Sequence, residues 1–238
     1  SEFSIEKFEI GYSPISADTI NFLKSNHYNL TDAIDLGVID NGTNGLYSRF
    51  IERITFPIYS INGKLVGFGG RTITGHSAKY VNSPQTKLFN KSRLLYGYHL
   101  AKEQIYKKNQ IIVCEGYLDV IMLHQAGFNT AVATLGTALT TEHLPLLRRG
   151  EPKVILAYDG DKAGLAAAFK ASVMLSQSEF DGGVIIFADG LDPADMVNNG
   201  KISELNEIFS NPISFIPYAI DYIISKYDIN DPIQKQKA

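Results

Sequence analysis

The 238 residues contain a single cysteine, Cys114. One thiol cannot close an internal disulfide or build a cysteine-based zinc cluster. It ends an apolar run, so its expected place is the buried core. Few cysteines fit a cytoplasmic protein. Long apolar runs are missing too. None approaches the roughly 18–20 residues a membrane helix requires, and no membrane association is expected. No basic stretch leads into an apolar one near the start, so no secretory signal is read there. There is no internal repeat and no low-complexity linker. Hydrophobic residues at 45% and charged residues at 20% exclude a disordered chain and leave a soluble globular balance.

The net charge of −3 speaks against nucleic acid, but its distribution does not. Between Arg49 and Lys108 stand eleven Lys or Arg and only two acids, Glu52 and Glu103. The rest of the chain carries eleven basic residues against 23 acids. Such asymmetry implies a basic surface for phosphates and an acidic surface for cations.

Three regions follow from pattern. Residues 1–108 mix short helical and strand signals, an α+β reading, with runs at 54–60 and 64–70 flanking Asn62-Gly63, a hairpin-turn signal. Residues 109–190 alternate four apolar runs (Gln110–Cys114, Thr130–Thr134, Lys153–Tyr158, Gly183–Phe187) with helical patterns near Tyr117–Ala126, Thr141–Arg149 and Lys162–Ser176. That alternation predicts α/β architecture with a largely parallel sheet covered on both faces. Residues 191–238 read as helical: Asp192-Pro193 is an N-cap and first-turn pair, Gly200 a stop, and 213–226 a further helix.

In open α/β sheets ligands gather at the carboxyl ends of the strands. Those ends carry Glu115, then Asp119 four residues on, Asp159-Gly-Asp161, and Asp189-Gly-Leu-Asp192. Clustered carboxylates repel one another, and a divalent cation relieves the repulsion. Oxygen ligands without His or Cys point to Mg²⁺ or Mn²⁺ rather than zinc. A single Asp in such a place is an ordinary turn residue or cap; Glu115, Asp119, Asp159, Asp161 and Asp192 together are a candidate site. In the basic region, Arg and Lys interleaved with Tyr and Phe suit phosphates and stacked bases. The outlying Lys102, Lys107 and Lys108 suit a solvated helix face.

Glu115-Gly-Tyr-Leu-Asp119-Val and Asp159-Gly-Asp161-Lys-Ala-Gly resemble the two signature motifs of the Toprim fold, shared by bacterial primases, topoisomerases and some nucleases. Leu135-Gly-Thr137 is similar to the primase pattern between them. Upstream, Phe8-Glu-Ile-Gly11-Tyr, Arg53-Ile-Thr-Phe-Pro57-Ile, Gly67-Phe-Gly-Gly-Arg71, Lys79-Tyr80-Val-Asn82-Ser-Pro84 and Phe89-Asn-Lys91-Ser-Arg93-Leu-Leu-Tyr96-Gly97 occur in order. They resemble the RNA polymerase domain of the bacterial DNA primases of the DnaG family. The resemblance implies an N-terminal basic α+β subdomain (1–108), a Toprim subdomain (109–190) with a Rossmann-like parallel sheet, and a C-terminal helical subdomain (191–238). It implies template-directed synthesis of short RNA primers on single-stranded DNA from ribonucleoside triphosphates, in the bacterial cytoplasm at the replication fork. Glu115, Asp119, Asp159 and Asp161 would be catalytic. Glu115, Asp159, Asp161 and Asp192 would hold Mg²⁺ or Mn²⁺. Arg53, Arg71, Lys79, Tyr80, Asn82 and Lys91 would bind nucleotide or DNA. Zinc is expected only in the family's N-terminal module, and helicase and single-stranded DNA-binding protein as partners only for a full-length chain.

The chain departs from the family at two points. Asp192-Pro-Ala-Asp195 replaces Asp-Pro-Asp, which turns the second acid by about 100° on a helix and sets Asp195 aside as a ligand. Ile51 stands where a basic residue is common. Two other readings stay open: another Toprim enzyme, such as a nuclease or topoisomerase, and a non-catalytic Toprim scaffold that binds DNA.

Overall fold

The computed structural model describes residues 1–75, 78–187 and 190–226. It divides into two compact units, 1–99 and 100–238. The first holds α1 (Glu2–Lys7), β1 (Gly11–Ser13), α2 (Ser16–Ser25), α3 (Leu30–Asp35), β2 (Ile39–Gly42), β3 (Gly45–Ser48), β4 (Arg53–Tyr59), β5 (Leu65–Thr72) and β6 (Tyr80–Asn82). A 3₁₀ turn at Lys91–Arg93 precedes α4 (Tyr98–Lys108), which crosses the unit boundary. The second holds β7 (Gln110–Cys114), α5 (Tyr117–Gln125), β8 (Ala131–Ala133), α6 (Leu144–Leu147), β9 (Lys153–Ala157), α7 (Lys162–Gln177), β10 (Gly182–Ile185), α8 (Pro193–Asn198), α9 (Ile202–Ser210), β11 (Ile213–Ser214) and α10 (Phe215–Ile224).

In the first unit β1, β4, β5 and β6 form an antiparallel sheet in the order β1-β4-β5-β6. Its core gathers large side chains with almost no exposure: Phe56, Ile58, Phe89, Leu95 and Tyr96. Tyr96 meets Phe56 edge-on and stacks on Phe8. The Asn62-Gly63 turn is wider than a two-residue hairpin. The Gly63 N–H bonds the Ser60 carbonyl at 2.9 Å, and Gly63 alone takes positive φ, +73°. That is a three-residue loop whose left-handed position falls on glycine.

In the second unit the sheet order is β11-β10-β9-β7-β8. β10, β9, β7 and β8 run parallel, as the alternating pattern implies, and α5 and α7 make the crossovers. Every residue of Ile111–Cys114 and Val154–Ala157 is buried, which is why these runs carry no polar alternation. Cys114 is fully buried. Two details differ from the sequence pattern. The helical stretch at 141–149 is a 3₁₀ turn, Thr141–His143, followed by the short α6, whose first turn holds Pro145. The stretch from 213 opens with β11, a two-residue antiparallel edge strand, before α10 begins. α10 packs against α7, and the Tyr218 hydroxyl donates to the Leu165 carbonyl at 3.0 Å. No helix among the described residues is long and apolar enough to cross a membrane.

Candidate functional site

β7 and β9 lie side by side, so Glu115 and Asp159, the first residues after Cys114 and after Tyr158, leave the sheet at the same edge. The two are joined directly: the Asp159 N–H donates to Glu115 Oε1 at 3.1 Å. Burial pushes the Glu115 carboxyl up to about 7, helped by the charges of Asp159 and Asp161 and opposed by that hydrogen bond. Gly164 makes the approach possible. A Cβ there would stand 2.2 Å from the Asp159 carbonyl and 2.8 Å from Glu115 Oε1. A Cβ on Gly160 would stand 2.4 Å from the Phe187 carbonyl.

Asp119, only 6% exposed, sits in the first turn of α5. It accepts from the Gly116 N–H at 3.0 Å and from the Ala194 N–H at the start of α8. Burial, then the charges of Asp192 and Asp159, push its carboxyl up to about 8, and the two N–H groups hold it down. Asp161 caps α7, its Oδ1 accepting from Ala163 and Gly164 N–H at 2.8 and 2.7 Å. Asp192 caps α8, its Oδ1 accepting from the Asp195 N–H at 2.6 Å. Asp195 itself is exposed on the first turn of α8, and Lys162 is exposed at the start of α7. Asp189 lies outside the described residues. The buried Cys114 thiol is held up by burial and by the charges of Asp119, Asp159, Glu115 and Asp192 together. Four acids thus surround one strand end. Among the described residues no three of them stand close enough to share one ion. Like charges repel, and Asp192, like the neighbouring Asp161, spends an oxygen on a helix cap.

The donor set itself suits a hard divalent cation: carboxylates only, at the carboxyl edge of a parallel sheet, with two of them raised by crowding and burial.

In the first unit the sheet register sorts the expected cations. Arg71 pairs with Ile54 on one side and Tyr80 on the other, and Gly69 pairs with Asn82. Arg71, Tyr80 and Asn82 therefore share a face, with the Arg71 guanidinium 5.8 Å from the Tyr80 ring centre. Arg53 pairs with Thr72 and is one residue out of step, on the opposite face. It is 5% exposed, and its guanidinium donates to the carbonyls of Ala78 (2.9 Å), Gly70 (3.3 Å) and Lys79 (3.4 Å). Arg53 thus binds β4 and β5 to the segment leading into β6. Lys79 is exposed just before β6, and Lys91 is exposed at the 3₁₀ turn that Asn90 caps. Sequence reasoning passed over Tyr158, which stands between the end of β9 and Asp159. A hydroxyl ending an otherwise apolar run was the available signal.

Comparison with known proteins gives the family. Residues 1–102 match the family model of the DNA primase catalytic core, N-terminal domain, and residues 109–193 match the Toprim domain. A DNA primase of Helicobacter pylori is 52% identical over 238 residues, covering 99% of this chain and 42% of that protein. A DNA primase of Campylobacter jejuni is 48% identical over 236 residues, covering 98% and 39%. The chain therefore spans about two fifths of these curated relatives. The RNA polymerase domain of Mycobacterium tuberculosis primase DnaG superposes with a TM-score of 0.87 at 32% identity, covering 100% of this chain and 85% of that one. A DnaG primase catalytic domain bound to single-stranded DNA superposes with a TM-score of 0.87 at 33% identity, covering 100% and 76%. With its carboxylate edge on a Toprim sheet and its cationic antiparallel unit upstream, this chain belongs to the DnaG family of DNA primases.

Proposed function

We propose that the chain joins ribonucleotides on a single-stranded DNA template, the 3′-hydroxyl of one nucleotide attacking the α-phosphate of the next and pyrophosphate leaving. The observation that carries this reading is the convergence of Glu115, Asp119, Asp159 and Asp192 on one strand end in a primase fold. Asp159, Asp161, Asp192 and Glu115 would hold Mg²⁺ or Mn²⁺. Such ions neutralise charge developing on the attacking and leaving oxygens of a displacement. The residues do the rest. Where Glu115 is not a ligand, it takes the hydroxyl proton on the oxygen that does not face the Asp159 N–H. Asp119 fixes the start of α8, and with it Asp192, by holding the Gly116 and Ala194 N–H groups. Arg71 with Tyr80, Asn82, Lys79 and Lys91 hold template or triphosphate by charge and stacking. Arg53 supports them through the backbone. In a full-length protein, a zinc-binding module, a helicase contact and single-stranded DNA-binding protein at the fork would complete the work.

The test is a gel. A single-stranded template, labelled ribonucleotides and Mg²⁺ or Mn²⁺ should give short RNA products. Degradation of labelled DNA without need of ribonucleotides would assign a nuclease instead. DNA binding with neither product would assign a scaffold.

A further inference from the structure

Residues with no part in that reaction form a compartment against Glu115. Tyr158 follows the last residue of β9, Ala157, and immediately precedes Asp159. After β8 the chain passes Thr134 and then Gly136, at φ +67°, to reach Thr137. On α7, Ala163 and Ala167 are one turn apart. With Glu115 these residues line a cavity of about 390 Å³. Tyr158 is 3% exposed, and among the described residues neither its hydroxyl nor Thr137 Oγ1 has a hydrogen-bond partner. Burial raises the Tyr158 phenol far above its usual range, and the Glu115 charge adds to the effect, so the group is an un-ionised hydroxyl. A buried hydroxyl left unpaired is destabilising. Two residues that carry such hydroxyls line one cavity, and a visitor that reaches them would supply their partners.

The lining restricts the visitor's chemistry. No Lys or Arg among the described residues lines the cavity, so the lining offers no cationic side chain to an anionic phosphate. Its one aromatic ring, Tyr158, is too buried to offer a face for stacking. A neutral hydroxyl group, able both to donate and to accept, is what remains, and it would enter beside the acid at which a nucleotide sugar would react. We propose that Tyr158 and Thr137 bind a ribose 2′-hydroxyl and make the chain prefer ribonucleotides over deoxyribonucleotides. This inference rests on the primase reading above. The hydroxyl belongs either to the incoming triphosphate or to the terminal residue of the growing primer.

Tyr158→Phe and Thr137→Val remove one hydroxyl each and keep the shape. In one arm, kcat/KM is measured for ATP and dATP against the same template base. In the other, primers ending in a ribose or a 2′-deoxyribose are extended with ATP. Each variant should lower the ribose preference about three- to tenfold in one arm, as the loss of a single hydrogen bond implies, and the arm affected identifies the source. Unchanged preference in both arms, or equal losses for ribose and deoxyribose, overturns the proposal. Calorimetric titration of ATP and dATP in Mg²⁺ reads the same preference without turnover. Tighter ATP binding that Tyr158→Phe equalises would support the cavity even if no primer were made. Primer synthesis by the wild type with no ribose preference would overturn the cavity and leave the primase reading standing. Without nucleotide, Tyr158→Phe should unfold at the wild-type temperature or above. A lowered Tm with unchanged preference would assign the hydroxyl to the core alone and overturn the proposal.

Discussion

Replacing Gly164 by alanine sets two effects against each other. Gly164 occupies the third position of α7, behind its Asp161 cap, with ordinary helical φ. Helix propensity alone favours alanine there by about 1 kcal/mol. The new Cβ, however, would stand 2.2 Å from the Asp159 carbonyl, against 3.4 Å or more in ordinary contact, and 2.8 Å from Glu115 Oε1. The carbonyl is backbone, so β9's end and the start of α7 must separate by about an ångström, and such overpacking costs about 1–3 kcal/mol. The two terms leave a net loss of about 0–2 kcal/mol, a fall in Tm of no more than about 8 °C for a chain this size. Function should suffer far more. The displaced groups are Asp159 and Glu115, and a misplacement of about an ångström at reacting groups costs on the order of 100-fold in rate. Differential scanning calorimetry and primer synthesis on the same preparation separate the two readouts. A Gly164→Ala protein that folds as well as the wild type and primes within twofold of it would refute the reasoning, because propensity would then act alone and the close approach would be dispensable.

Asp161→Asn keeps an oxygen for the α7 cap and removes the charge, so it should preserve Tm and abolish primer synthesis; Asp161→Ala should also lose about 1 kcal/mol of stability through the cap. Arg53→Met leaves the carbonyls of Gly70, Ala78 and Lys79 without their donor, and should lower Tm at all salt concentrations. Arg71→Ala should leave Tm close to wild type and weaken template binding, with a shallower salt dependence measured by fluorescence anisotropy. Asp119 carries a pH signature in the metal-free protein. Its carboxyl is raised to about 8 in the fold against about 3.9 when unfolded, so the folded state binds the proton more tightly. Stability should be highest below about pH 4 as far as this group is concerned, and fall as pH rises toward 8. Asp119→Asn should flatten that decline in Tm measured with EDTA.

Much of the second unit was legible because buried parallel strands leave a plain signal. The run at 110–114 matches β7 residue for residue, and α7 begins at Lys162 behind an Asp cap as the pattern implies. β11 was not legible, since two residues of edge strand carry no periodicity. The acids were readable as residues at strand ends, but their division of labour was not. Asp192 was legible as the cap of α8, but that Asp119 ties α5 to α8 depends on distances no spacing encodes. Arg53 shows the same limit in the basic unit. Composition groups it with Arg71, yet a one-residue step in register sends it to the other face of the sheet, into three carbonyls. Tyr158 was hidden by its neighbours: an aromatic after Val-Ile-Leu-Ala reads as core until the residue is seen to line a cavity, its hydroxyl without a partner among the described residues.

The central claim is that this acidic edge collects divalent cations for nucleotide transfer. Electron paramagnetic resonance titration of Mn²⁺, with and without ribonucleoside triphosphate, tests it most directly. The account predicts bound Mn²⁺ that tightens with nucleotide in the wild type and is lost in a protein carrying Asp159→Asn and Asp161→Asn. Equal Mn²⁺ binding by the two proteins would contradict it.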